Sequence, residues 1–297
     1  MTSFDRVLAS LNHHEPDKIP FDLGGTMVSG ININALNNLR KHLGLRALGD
    51  VKDIITQMAH TGQDVIDLLK VDVKNVGPNV PEESKLNDLG QSGGYHYLED
   101  EWGMQWRMPL AGGQYYDLFK SPLAHVQSIA DVENYRWPNA LDPFRYTGLK
   151  EEADKIVFDE KKAYVLGRMS SGMWEHAMWM TGYEKFMTDM YMNPGVVQAI
   201  MEKILEVKMQ YWERALEAVG ENVMVASCAD DLGTQTGLLI GLDMYREQIW
   251  PYHKRLFEFI KSKARSDIKI FFHNDGAIME TIPLLIEAGV DILNPFQ

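Results

Sequence analysis

The stretch Ile270-Phe271-Phe272-His273-Asn274-Asp275-Gly276 decides how the rest of the chain is read. A β-branched and aromatic run ends in a histidine, a carboxylate follows two residues on, and a glycine closes the turn. Residues 268–273 have the texture of a buried strand, and 277–287 have the periodicity of the helix after it. In parallel α/β proteins the strand ends are rigid and the loops beyond them are free to vary, so chemistry gathers there. Side chains two apart share a strand face, so His273 and Asp275 should leave the strand tip on one side. Together they could ligate a metal or act as an acid/base couple. The plainer alternative is a histidine capping the strand, with the aspartate as N-cap of the next helix.

The same pattern recurs outward from this point. Residues 18–23, 71–76, 163–167, 222–228 and 291–295 read as further strands. Helical periodicity covers 33–43, 51–69, 146–157, 183–219 with a break at Asn193-Pro194, and 243–263. A short helix opens the chain, with Ser3 as its N-cap ahead of Phe4, Val7, Leu8 and Leu11. Strands alternating with helices imply a parallel sheet of α/β class, and the length suits a (β/α)8 TIM barrel. The sixth strand ends next to Gln297, whereas a closed barrel needs about two more βα units. The expectation is a barrel truncated after about six strands. Residues 93–143 differ in texture: Tyr95, Tyr97, Trp102, Trp106, Tyr115 and Tyr116 alternate with polar residues, and Gly-Gly pairs interrupt them. This predicts a β-hairpin-rich insertion covering one barrel end. With no low-complexity linker and no short repeat, residues 1–297 read as one domain.

Composition narrows the function classes. A formal net charge of -13 opposes nonspecific binding to nucleic acid, because phosphates would be repelled. One cysteine, Cys228, excludes an internal disulfide framework and a multi-cysteine zinc site, and suits a reducing cytoplasm. No apolar run approaches the roughly 20 residues needed to span a bilayer. Residues 1–6 lack the pattern of a signal peptide. The expectation is a soluble cytoplasmic protein acting on a small molecule.

Each strand should offer its C-terminal residues to the active face. Asp22 follows the first strand, Arg168 the third, Asp230 and Asp231 the fourth, and His273 and Asp275 the fifth; Asn294 ends the sixth. For zinc, His273 and Asp275 are the candidate ligands, with Asp230, Asp231 or Glu175 as further oxygen donors. Met169, Met173, Trp174, Met178, Trp179 and Met180 crowd the region after the third strand. They read first as a soft core face and second as packing for a flat, irregular ligand. No Walker loop, nucleophile elbow or dinucleotide fingerprint is present.

An ordered set of segments then resembles the uroporphyrinogen decarboxylase superfamily, which also holds cobalamin-dependent methyltransferases. The segments are Arg6-Val7-Leu8 through Pro16-Asp17-Lys18-Ile19-Pro20, Glu101-Trp102-Gly103 and Asp230-Asp231-Leu232-Gly233-Thr234-Gln235. Tyr252-His253-Lys254-Arg255-Leu256, His273-Asn274-Asp275-Gly276 and Gly289-Val290-Asp291-Ile292-Leu293-Asn294-Pro295 complete it. The resemblance implies a (β/α)8 barrel with its site at the C-terminal mouth. In the methyltransferase branch, zinc is held by His-x-Cys and a later cysteine. Here Asp275 stands in the first cysteine's place, and the later one would fall beyond Gln297. An oxygen ligand hardens zinc and favours an ether or amine over a thiol. The decarboxylase branch opens with an Arg-Gln-Ala-Gly-Arg-Tyr loop, where this chain has Asp22-Leu23-Gly24-Gly25-Thr26. A polycarboxylate needs several fixed cations, and Arg168 is the one obviously placed.

The resemblance therefore implies a methyltransferase that moves a methyl group between a small methylated substrate and a corrinoid held by a separate protein. Asp22, Arg168, Asp231 and His273 are its expected catalytic residues. Met169, Trp174, Glu175, Gln235 and Asn294 are its expected substrate-binding residues. The alternatives are uroporphyrinogen decarboxylation in porphyrin biosynthesis and a noncatalytic tetrapyrrole- or corrinoid-binding barrel.

Overall fold

The computed structural model describes residues 1–167, 169 and 172–295. Helix α1 (Ser3–Leu11) starts from Thr2, not Ser3. The Thr2 hydroxyl accepts the Asp5 N–H and the Asp5 carboxylate accepts the Thr2 N–H, a reciprocal capping box. Helix α2 (Ile33–His42) follows the Asn32 cap. The long helix expected over 51–69 is instead a small hairpin of β1 (Val51–Asp53) and β2 (Met58–Ala59), then helix α3 (Gln63–Leu68). Gln57 and Gly62 both take positive φ, which a continuous helix forbids. The Asp53 side chain also draws off the Thr56 N–H into a turn.

Strand β3 (Val73–Val76) comes next. The strand expected over 18–23 does not form. Pro20 has no N–H to donate, and the Phe21 N–H is taken by the Asp72 carboxylate. One backbone rung, from Asp72 N–H to the Phe21 carbonyl, ties this segment to the sheet edge.

The insertion is an antiparallel sheet in chain order, β4 (Asn87–Ser92), β5 (Tyr95–Glu99), β6 (Gln105–Pro109) and β7 (Asp117–Lys120). It begins before Gly93 and ends at Lys120. The stretch beyond it holds turns and a short helix, α4 (Ile129–Glu133). Leu98 of β5 and Trp106 of β6, opposite each other in register, turn into the main core, and Trp102, Met104 and Tyr116 join them from the connecting turns.

Regular alternation then resumes. Helix α5 (Leu149–Asp154) runs into a π-helical turn, Lys155–Asp159, and leads to β8 (Ala163–Leu166). Helices α6 (Trp174–Thr181), α7 (Tyr183–Met192) and α8 (Pro194–Val219) precede β9 (Val225–Ala229). The break at Asn193-Pro194 falls between α7 and α8, where proline suits the first turn of the new helix. A short α9 (Leu242–Met244), a π turn and α10 (Trp250–Lys263) lead to β10 (Lys269–His273). Helix α11 (Ile282–Ala288) and β11 (Ile292–Asn294) complete the described chain.

Five strands form one parallel sheet in the order β11-β10-β9-β8-β3, the core of a partial TIM-type barrel. Tyr164, Leu166, Ala226, Ile270 and Phe272 face the helices, while Val73, Ala163, Val165 and Val225 face the other way. On that second, inner face Val7 of α1 packs among the valines, with Phe4, Leu8 and Leu11 beside it, so α1 closes the N-terminal ends of the strands. Further along the same face the residues turn polar or bare: Asn75, Gly167, Ser227, His273 and Asn294 follow in their strands. Apolar at the bottom and polar at the top, the inner face thus points its chemistry toward the C-terminal mouth. Among the described residues no helix is long and apolar enough to cross a membrane.

Candidate functional site

Register places the central residue. His273 lies opposite Ala229 on β9 and Asn294 on β11, so three parallel strands end nearly flush. The loops beyond them are bound together. Asp230 N–H donates to the His273 carbonyl, Leu232 N–H to Asn274 Oδ1 (2.8 Å), and Asp275 N–H to Asp231 Oδ1 (2.8 Å). Gly276 lets the two loops touch, since a Cβ there would lie 2.5 Å from the Gly233 carbonyl carbon.

This backbone lattice brings Asp231, His273 and Asp275 together, with one ligand atom of each within 4.8 Å of the others. His273 Nε2 stands 4.0 Å from Asp231 Oδ1 and 3.7 Å from Asp275 Oδ2. Its Nδ1 donates to Asn294 Oδ1 at 2.9 Å, which fixes the tautomer and leaves the Nε2 lone pair facing the two carboxylates. A ligating histidine is oriented by a partner in this way. The helix-cap alternative for Asp275 fails, because α11 starts only at Ile282, beyond a 3-10 turn at Met279–Thr281.

Asp230 has a different task. Fully buried, it accepts the N–H groups of Met173, Trp174 and Glu175 at 2.8 Å each, so it caps the start of α6. His253 Nε2 donates to it at 2.7 Å, and the Tyr245 hydroxyl stands 3.1 Å from His253 Nδ1. Gly172 permits this approach, since a Cβ there would overlap the Asp230 carboxylate. With its oxygens so used, Asp230 is a structural neighbour of the cluster.

Glu175, set at the N-terminal end of α6, is pushed up to about 9 by burial, then by the negative charges of Asp230 and Asp231. It is therefore protonated at neutral pH and can donate a hydrogen bond. Burial also raises Asp231, against the hydrogen bond it accepts from the Asp275 N–H, with the negative charges of Asp275 and Asp230 as lesser contributions to the rise. Behind them Lys208 is buried in α8, its ammonium donating to the Met169 carbonyl at 3.3 Å. Burial lowers it to about 8 against the pull of Asp230 and Glu175. Cys228 is raised to about 12 by burial.

The remaining expected site residues are scattered. Asn294 holds His273, and Gln235 is exposed in the loop that closes with the Gly233 and Leu238 bridge. Met169 and Trp174 are buried, Trp174 edge-on to Phe186 at 5.5 Å. Asp22 lies by the opposite sheet edge, its Oδ1 accepting the Gly25 N–H at 2.7 Å, with burial raising its carboxyl. Arg168 lies outside the described residues. Sequence reading missed Lys208, and it took His253 only as part of the 252–256 resemblance segment, with no role assigned. Each sits inside an apolar helical stripe (Ile204, Leu205, Lys208, Tyr211, Trp212; Ile249, Tyr252, His253, Leu256, Phe257), and a titratable residue in such a stripe is the signal that could have found them.

A partial parallel barrel with a histidine and two carboxylates at its C-terminal mouth defines an α/β enzyme-type scaffold. The chain belongs to the uroporphyrinogen decarboxylase (URO-D) family, whose sequence profile matches residues 120–295. In fold it is similar to a methyltransferase from Methanosarcina mazei, with a TM-score of 0.61 at 15% identity, covering 99% of this chain and 75% of that one. No curated protein matches it in sequence.

Proposed function

We propose that this chain is a metal-assisted methyltransferase of its superfamily, moving a methyl group between a small methylated substrate and a corrinoid carried by a separate protein. The observation that carries this reading is the His273 Nε2 lone pair facing Asp231 and Asp275, with Nδ1 held by Asn294. One imidazole nitrogen and two carboxylate oxygens form a three-donor set with room for a further ligand, which suits a catalytic zinc site. His273, Asp275 and Asp231 would hold the ion. When bound, zinc would supply a Lewis acid for the heteroatom that bears the methyl group. Glu175, whose carboxyl burial pushes upward beside Asp231, would be placed to hold a proton for that heteroatom. Asn294 and Gln235 complete the rim, Met169 and Trp174 back it, and Asp22 belongs to the wider mouth. With this goes the reading of residues 1–297 as one domain working in the cytoplasm.

Metal analysis of the purified protein tests the reading. It predicts about one zinc per chain, and an affinity loss of about 10- to 100-fold for Asn294→Ala, which removes the partner that orients the ligand. Methylation of free cob(I)alamin by small methylated ethers or amines should depend on that zinc. A metal-free protein that releases carbon dioxide from uroporphyrinogen would instead establish the decarboxylase alternative. Tight tetrapyrrole binding without turnover would establish the noncatalytic one.

A further inference from the structure

A line of buried hydrogen bonds runs from α10 to the mouth. It starts in the π turn Tyr245–Ile249, where the Trp250 N–H reaches back five residues to the Tyr245 carbonyl. Pro251, next in sequence, has no N–H with which to continue the ordinary helical ladder. Turns of this kind inside helices recur at functional positions. Here the turn sets the Tyr245 hydroxyl 3.1 Å from His253 Nδ1, and His253 Nε2 stands 2.7 Å from Asp230 Oδ2. All three residues are buried. Burial, then the charge of Asp230, raises the Tyr245 phenol well above its ordinary value, so it keeps a proton to donate to Nδ1. That leaves the imidazole proton on Nε2, facing the carboxylate. Phe257 stacks on the ring at 5.8 Å and Phe272 meets it edge-on at 5.5 Å, which holds its plane. Asp230 then acts in two directions. Its Oδ1 accepts the Glu175 N–H at 2.8 Å, and its own N–H donates to the His273 carbonyl at 2.9 Å. One residue thus ties the start of α6 to the tip of β10, and Asp231 is the next residue along the chain.

We infer that His253, its tautomer set by Tyr245, is a positioning residue for the zinc set, acting through Asp230 on Asp231 and His273. The inference rests on the zinc reading of the mouth and adds the element that sets the spacing of the ligands, helix α10. Zinc ligand atoms lie about 2.0–2.2 Å from the ion, so a small shift of either loop opens the set. Groups that fix a ligand from behind are worth nearly as much as the ligand's own placement. His253 touches neither the metal position nor a ligand side chain. Its effect passes through the backbone that Asp230 holds.

The experiment titrates zinc into the full chain and follows amide hydrogen exchange of the metal-free protein in parallel. His253→Leu removes the donor. It should lower zinc affinity by about tenfold and speed exchange at the 173–175 amides and the Asp275 N–H by about tenfold. Exchange in β3, at the far edge of the sheet, should stay as in wild type. His253→Gln keeps an N–H that can reach Asp230 and should restore most of the zinc affinity. Ile260→Ala makes a cavity in the same helix, outside this line of bonds, and controls for a merely structural role. It should lower the melting temperature and leave zinc affinity within about twofold. If His253→Leu does not fold, Tyr245→Phe carries the test, since it deletes one hydroxyl and should still cost about threefold in zinc affinity. An affinity unchanged in whichever of these two variants folds, or an equal loss in Ile260→Ala or His253→Gln, overturns the inference. The zinc reading fails separately. If the wild-type chain binds no zinc, that reading falls and exchange alone decides. Faster exchange at 173–175 and Asp275 in the His253 or Tyr245 variant, absent from Ile260→Ala, then upholds the positioning role, and any other pattern overturns it. If zinc binds and every variant holds it as wild type does, zinc stands and the positioning role is wrong.

Discussion

The two ends of the parallel sheet use the same residue types to opposite effect. At the N-terminal end, buried Asp72 accepts from Ser3 Oγ at 2.7 Å, Arg6 Nη1 at 2.6 Å and the Phe21 N–H at 2.9 Å, while Arg6 Nε donates to Asp17 at 2.7 Å. Burial pushes the Asp72 carboxyl up, but Ser3, Phe21 and Arg6 together hold it below its ordinary value. The hydrogen bond from Arg6 likewise holds Asp17 down. At the C-terminal end, burial and crowded negative charge move Asp231 and Glu175 upward. With Lys18 Nζ 3.7 Å from Asp72, the lower group sets two cations, Arg6 and Lys18, against its two carboxylates. The upper group carries surplus acid that Lys208, buried behind it, only partly offsets. Matched charge pins α1 to β3, and surplus charge awaits a cation or a proton.

The largest effect should come from a residue that sits at the top and behaves like the bottom. Asp230→Ala strips α6 of three hydrogen bonds and leaves His253 buried without its acceptor, costing about 3–5 kcal/mol in urea unfolding. Asp72→Ala should follow at about 3 kcal/mol, with zinc affinity of the folded fraction untouched. If either variant unfolds like wild type, the division between structural and functional carboxylates is misplaced.

The contrast also has a pH signature. Asp72 has a lowered folded value, so its contribution is present above its unfolded value of 3.8 and is lost as pH falls through the folded one. Glu175 has a raised value, so the folded state binds the extra proton and stability falls as pH rises from 4.5 toward about 9. In metal-free protein, Glu175→Gln should flatten that alkaline decline in melting temperature and leave the acid limb alone. A variant with the wild-type slope between pH 6 and 9 would show that Glu175 is not the group responsible.

Much of this was legible from pattern. The run 270–276, the strand ends and the break at Asn193-Pro194 obey local rules, and the structure keeps them. Residues 18–23 and 51–69 were misread because a proline, a side chain that takes a backbone N–H, and two positive-φ residues override apolar periodicity. The separate roles of Asp230 and Asp231 were not legible. Neighbours in sequence point opposite ways off a strand, and only the packed α6 shows which carboxylate meets three N–H groups.

The smallest expected change in stability is at Asp275, and it sharpens the comparison most. Its side chain is 61% exposed, caps no helix, and lies 3.7 Å from His273 Nε2. A surface carboxylate without such duties contributes within about 0.5 kcal/mol, so Asp275→Asn should melt like wild type. An amide oxygen is a poorer zinc donor than a carboxylate, so zinc affinity should nevertheless fall by about tenfold or more. Asp275→Cys should be equally well folded and should raise zinc affinity, because a thiolate at this exposed position is a softer zinc donor than a carboxylate. Zinc titration and melting of the same two variants separate the possibilities. Stability lost with metal binding unchanged would make Asp275 a structural residue after all and would erase the distinction between the two ends. Metal binding changed at constant stability is the behaviour that a surplus of acid at the mouth requires.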